Sequence, residues 1–411
     1  MRWSRRPSCG STRSAASRPG PSRPEAMALA LDRRPLGKTG IEVSAMGIGS
    51  SPFRHGAAAD WAGLLAEAYD CGITYYDTAR SYVNGEAVIA HLPPRVRDGL
   101  TIATKTGARG GPHCLRDLQT SLRAMGRDHI DLWMTHMVET MREYELCTEL
   151  GGFCDVAVAA RTAGLVRATG ASFHAPTEVI LRAIEERAFD VVMFPFNVLG
   201  RETVFGAPIS DYRDRLLPAA RANGVGVVVM KVLAGGEMKH GAPRLGFLAD
   251  PATGQDTLSG AIRYALMQPG IATAVLGMAS RTELRRNLAA GIGVGPDPGA
   301  CQRLEARVAA ASPGECTRCA ACLGVCPEGI EIPKVFRLLD QDRFFGMTGI
   351  ARFKYARMQP DASACARCGK CAEVCPEDFD IARLLQLAHA RLTQATRPAG
   401  SRQTEEENTH G

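Results

Sequence analysis

No uninterrupted apolar run in this chain of 411 residues reaches the length of a bilayer span, so nothing points to membrane insertion. A basic binding face is missing too. The formal net charge is +6, but residues 1–34 hold eight arginines against Glu25 and Asp32 and account for all of it. The body is close to neutral, and nucleic-acid binding has no electrostatic footprint there. Arg5-Arg6 is followed by no apolar segment of the kind an export signal needs, so the expected location is the cytoplasm. A G-x-G-x-x-G turn is absent after the first strand-like run, which counts against a doubly wound dinucleotide fold, and no flavin motif is present.

What the chain does contain is an ordinary globular composition, 45% hydrophobic and 22% charged, with room for one large domain and a smaller one. Residues 1–28, rich in Arg, Ser and Pro, are expected to be a disordered extension, with Met27 an alternative start; the polar tail 396–411 is read the same way. From Leu36 to Gly295 short apolar runs alternate with helical periods. The runs are Ala45–Gly49, Ile73–Asp77, Thr101–Lys105, Ile130–His136, Arg167–Ser172, Val191–Asn197, Val225–Val232 and Thr273–Gly277. Eight strands alternating with helices over roughly 250 residues is the arithmetic of an α/β protein built as a (β/α)8 TIM barrel, placed here at 29–298. Short runs on either side of Gly37-Lys38-Thr39-Gly40 predict a hairpin across the barrel floor.

Chemistry in such barrels sits at the C-terminal strand ends. Asp77 ends the second run, Tyr82 follows in its loop, Lys105 closes the third run and His136 the fourth. A buried strand-end carboxylate needs a cation, and a buried ammonium needs a carboxylate, so Asp77 and Lys105 suit each other. An ammonium beside a phenol is expected to bring its pKa down from near 10 toward the working range. The segments GITYYDTARSY, IATKTG and DLWMTH, with RRPLGKTGIEVSAMGIGS before them, resemble the signature segments of the aldo-keto reductases over about residues 33–295. The resemblance implies Tyr82 as general acid, Asp77 and Lys105 as its tuning pair, and His136 as the group that orients a carbonyl.

The same resemblance implies a nicotinamide site, and here the residues diverge. Family members carry Gly-x-Ser-Asn after the fifth strand and Gln after the sixth; this chain keeps Ser172 but has Phe173 and Met193 at the other two positions. Phe196 is a candidate to stack on the ring, with Asn197 beside it. After the eighth run, GMASRTELRRN supplies Gly277, Ser280, Arg281 and Asn287 for phosphate and adenine contacts. Glu283 stands where an arginine for the 2′-phosphate often falls, so the choice of NADH or NADPH is left open.

Fourteen cysteines would suit a secreted disulfide framework, but eight fall in two identical spacings. Cys316-x2-Cys319-x2-Cys322-x3-Cys326-Pro recurs as Cys365-x2-Cys368-x2-Cys371-x3-Cys375-Pro. This is the spacing of bacterial two-cluster ferredoxins. It implies two [4Fe–4S] clusters in a ferredoxin-like domain at 299–395, one on Cys316, Cys319, Cys322 and Cys375, the other on Cys365, Cys368, Cys371 and Cys326. Zinc does not call for cross-supplied, proline-flanked ligands. Residues 334–358 are helical, aromatic and basic, read as a helix packing this domain on the barrel or as a docking surface for an acidic electron carrier.

The resulting expectation is an oxidoreductase of the aldo-keto reductase type that reduces a carbonyl or oxidises an alcohol with NAD(P)H and carries two clusters. One alternative is a reductase fed through its clusters by a ferredoxin or flavoprotein. Another is a non-enzymatic electron-transfer or redox-sensing module.

Overall fold

A computed structural model of the chain describes residues 31–200, 212–250, 254–311, 316, 318, 321–376 and 380–394. The expectations for 1–28, for 396–411 and for Cys319 lie outside them. Ten strands are described: β1 Arg33–Pro35, β2 Glu42–Ser44, β3 Met46–Gly49, β4 Tyr75–Asp77, β5 Thr101–Thr106, β6 Ile130–Val138, β7 Val166–Phe173, β8 Val191–Pro195, β9 Gly226–Met230 and β10 Thr273–Gly277. β3 to β10 pair in parallel and close into an eight-stranded barrel, with β10 beside β3. All eight expected runs form strands, with ends shifted by at most two residues.

Strands buried on both faces read as continuous apolar runs because successive side chains alternate between the axis and the helices outside. Tyr75, Ala103, Leu132, Met134 and Met193 belong to the cluster inside the barrel. Their neighbours Tyr76, Ile102, Trp133, Phe173 and Phe194 belong to the cluster under the helices. Residues two further along from Tyr75, Ala103 and Met134 are Asp77, Lys105 and His136, so alternation stacks these three above the inner core.

The floor is the expected antiparallel hairpin of β1 and β2. Leu36, Ile41 and Val43 plug the interior from below. Gly37 sits at φ 60°, and a Cβ there would run into the backbone of Gly226. The helix Leu217–Asn223 stops at Gly224 in the left-handed region, where glycine carries no Cβ penalty. Between β6 and β7, where the alternation calls for a helical period, the chain forms two helices, Met141–Thr148 and Phe153–Thr162.

The expected division after residue 298 falls at the start of the helix Pro298–Ala311, whose Cys301 and Leu304 belong to the barrel's outer core. A separate core joins the helices Ile332–Arg343, Thr348–Tyr355 and Ile381–Thr393 through Val335, Leu338, Tyr355 and Leu385. Residues 332–345 also hold this unit on the barrel: Gln341 donates to Glu237 Oε1 at 2.5 Å, Arg244 donates to the Asp342 carbonyl, and Phe345 enters the barrel core. That is the packing role foreseen for this stretch. Among the described residues no helix is long and apolar enough to cross a membrane.

Candidate active site and cysteine cavity

Lys105 Nζ donates to Asp77 Oδ1 at 2.6 Å, to Oδ2 at 2.7 Å and to the Thr78 carbonyl at 2.8 Å. The two side chains are 2% and 5% exposed. Only mutual pairing makes such burial tolerable. The loop beyond β4 is laced along β5, with the Thr78 N–H on the Ala103 carbonyl and the Arg80 N–H on the Lys105 carbonyl. Glu86 ends this loop as a buried carboxylate accepting from Thr104, Ser121 and Arg80. Tyr76 donates to the Gly85 carbonyl, and a Cβ on Gly85 would strike Thr78 and Ser50, so glycine lets the loop press down. Tyr82 is thereby brought over the mouth. Its ring stands edge-on to His136 at 5.8 Å, and Lys105 Nζ lies 5.8 Å from its centroid.

The electrostatics depart from the sequence expectation at Tyr82. Burial pushes the phenol up, Asp77 adds to that, and Arg54 opposes it. Tyr82 therefore holds its proton at neutral pH. Burial, with Lys105 and Arg109 nearby, lowers His136 to about 3, so its imidazole is neutral. His174, the residue after β7, is lowered to about 3 by burial and by Lys231 and His136. His174, Lys231 and Arg109 are cationic or ionisable members of the mouth that the sequence reading did not single out. Their signal was available, since all three follow barrel strands.

The residues expected to hold a dinucleotide are dispersed in their roles. Ser172 is buried and its Oγ accepts from the Met137 N–H at 2.9 Å, leaving its own hydroxyl proton to donate. Phe173 faces outward against Phe189, and Met193 is part of the inner core. Phe196 stacks on Tyr264, with centroids 5.6 Å apart and planes 7° from parallel. The Asn197 side chain accepts from the Leu199 N–H at 3.0 Å. Gly277 ends β10, where a Cβ would meet Pro52 at 2.9 Å. Ser280 caps the helix Arg281–Gly291, and Arg281 donates to Glu67 at 2.6 Å. Asn287 is buried and accepts from Arg286.

Glu283 completes that helix start. Its carboxylate accepts from the Ala279 N–H at 2.8 Å and pairs with Lys239, and these contacts hold its pKa down against burial. The terminus thus carries its own negative charge.

Four of the cysteines converge. Cys326, from the first motif, lines one small cavity with Cys365, Cys368 and Cys371 of the second. Burial raises Cys371, and the other three thiols raise it further, as neighbours sharing one space would. Four thiols around one cavity, whose lining also includes Ile332, Ala382 and Leu385 and the charged Glu328 and Arg367, are the donor type that an iron–sulfur cluster takes. Of the other expected set, Cys316, Cys322 and Cys375 pack against the core of the same unit.

A closed parallel barrel with an ion-paired lysine, a tyrosine and a neutral histidine at its mouth, joined to a cysteine-rich unit, defines an oxidoreductase with an iron–sulfur domain. Residues 45–293 match the aldo/keto reductase family, and the chain belongs to it. Residues 315–379 match the 4Fe-4S dicluster domain. The chain is 26% identical to the NADH-specific methylglyoxal reductase of Escherichia coli, over 50% of this chain and 68% of that one. It is 28% identical to the D-threo-aldose 1-dehydrogenase of a Pseudomonas species, over 50% and 70%. The fold matches an aldo-keto reductase from Bacillus halodurans in its holo form at a TM-score of 0.56 and 20% identity, covering 69% and 97%.

Proposed function

We propose that the enzyme reduces a small carbonyl compound, or oxidises the corresponding alcohol, using NADH in preference to NADPH. A bound nicotinamide would supply or accept the hydride. Tyr82 holds a proton at the mouth and gives it to the carbonyl oxygen, while the neutral His136 imidazole donates a hydrogen bond to the same oxygen and fixes its direction. Asp77 keeps Lys105 charged beneath the phenol, so that negative charge developing at the oxygen meets a cation a few ångströms away. The observation that carries this reading is the Tyr82 ring standing edge-on to His136 directly over the buried ion pair. The NADH preference rests on the Glu283 carboxylate, and the small-substrate class on the activities of the two relatives named above.

We further infer two [4Fe–4S] clusters, in the crosswise ligand sets expected from the motif spacing. They would pass single electrons within the cysteine-rich unit. One observation favours a second reading, in which a ferredoxin or flavoprotein feeds these clusters: Phe173 and Met193 are both packed into cores, at the positions where relatives hold the nicotinamide carboxamide.

An anaerobic titration of the cluster-loaded protein with NADH and then NADPH tests both readings, following nicotinamide fluorescence and cluster absorbance together. Tight NADH binding, with carbonyl reduction lost in Tyr82→Phe, is the expected result. Binding of neither dinucleotide would sink the first reading and send the search to a protein donor.

A further inference from the structure

β6 carries one residue too many just where His136 sits. Thr135 pairs with Ala171 and Val138 with Phe173, so three steps on β6 face two on β7. Met137 takes φ 55°, in the left-handed region that a side chain rarely adopts. Such backbone persists only where its surroundings over-determine it.

Arg109, in the loop after β5, supplies most of that determination. Its Nη1 donates to the His136 carbonyl at 2.7 Å and to Thr135 Oγ1 at 3.1 Å. Its Nη2 donates to the Met137 carbonyl at 2.7 Å and to Glu143 Oε1 at 3.2 Å. In a regular strand successive carbonyls point to opposite sides, and one guanidinium could not take both. The planar fork is therefore complementary to the bulge and not to the extended strand. Ser172 Oγ grips the Met137 N–H from the other side. The Arg109 backbone is itself pinned, since its carbonyl accepts from the Phe153 N–H at 2.7 Å and Gly110 bridges to Gly152. Glu143 in turn accepts from the N–H groups of Glu139 and Thr140, which ties the guanidinium to the start of the next helix.

We propose that Arg109 is a positioning residue for the reaction: its guanidinium holds the bulge that aims His136 at the oxygen served by Tyr82. The inference rests on the role of His136 given above. Lysine at this position would keep the charge and lose the fork, so geometry and charge can be separated.

The test is a cycle on the full-length, cluster-loaded protein: Arg109→Lys alone, His136→Ala alone, and the two together, each assayed for kcat and KM in carbonyl reduction. Arg109→Lys is expected to lower kcat on the order of 100-fold with little change in KM, the size of effect that a misplacement of about 1 Å produces. In the His136→Ala background the same change should cost less than about twofold, because there is no imidazole left to aim. An equal loss in both backgrounds would overturn the proposal, as would an unchanged kcat in the parent background. If His136→Ala by itself leaves kcat intact, it is the role of His136 that fails. Should Arg109→Lys not fold, Glu143→Gln loosens the guanidinium from its far side and runs through the same cycle. It is expected to show a smaller loss that again vanishes without His136; a loss that persists there would overturn the proposal equally.

Discussion

Lys105 Nζ sits 2.6 Å and 2.7 Å from the two carboxylate oxygens of Asp77, in the layer of side chains directly above the inner core. Removing one partner leaves the other as an uncompensated buried charge, which costs about 3–5 kcal/mol. Asp77→Asn and Lys105→Met should each lower stability on that scale, read from denaturant midpoints. The double variant should be more stable than the sum of the singles predicts. Simple additivity would show that the pair is not coupled.

His136 and His174 are both held near 3, against about 6.5 in an unfolded chain. Between those values the unfolded state binds the more protons. Their contribution to stability is therefore complete above about 6.5 and is lost as pH falls toward 3. NMR of histidine-labelled protein should show two ring signals, assigned with His136→Gln and His174→Gln, that do not titrate between pH 5 and 8. Midpoints near 6.5 would contradict the burial described here.

Glu283→Gln keeps the contact to the Ala279 N–H and removes the charge. At an effective dielectric near 20, unit charges about 12 Å apart interact by about 1.4 kcal/mol, roughly tenfold in affinity. The NADPH dissociation constant should fall by about that factor while NADH binding changes little. Equal shifts for the two would mean that Glu283 does not face the ribose.

Cys326→Ser should disturb the cluster held by Cys365, Cys368 and Cys371, from which it is distant in sequence. Iron content is expected to drop from about eight to about four per chain, with one of two reduced-state EPR signals lost. Loss of the signal that responds to Cys316→Ser, and not the one that responds to Cys365→Ser, would refute the crosswise assignment.

Much of the barrel is legible in the sequence. Each run ending in Asp77, Lys105 or His136 is mostly apolar or threonine-bearing and closes on a charged or ionisable residue, which marks a strand emerging at a solvent-facing rim. The hairpin was legible from the glycines bracketing Lys38 and Thr39. After His136 the expected helical period is parted at Glu149, Gly151 and Gly152 into Met141–Thr148 and Phe153–Thr162. The direction of the Tyr82 shift is not legible in the sequence, because burial of the phenol raises its proton affinity and Asp77 adds to that, and spacing carries neither its depth nor its neighbours.

The sequence by itself determined that eight strands would alternate with helices, which side chains would stand at their ends, and which cysteines would recur at equal spacing. These follow from local alternation, turn residues and short intervals, all properties of neighbours along the chain. Only the tertiary structure decided that Phe173 faces outward and that β6 bulges under the grip of Arg109. It also decided that Lys239 reaches Glu283, whereas the grouping of Cys326 with Cys365, Cys368 and Cys371 around one cavity is the one the spacing implies. Those outcomes depend on which way a side chain points once the barrel closes. Closure brings together groups tens of residues apart, and their distances enter neither periodicity nor composition.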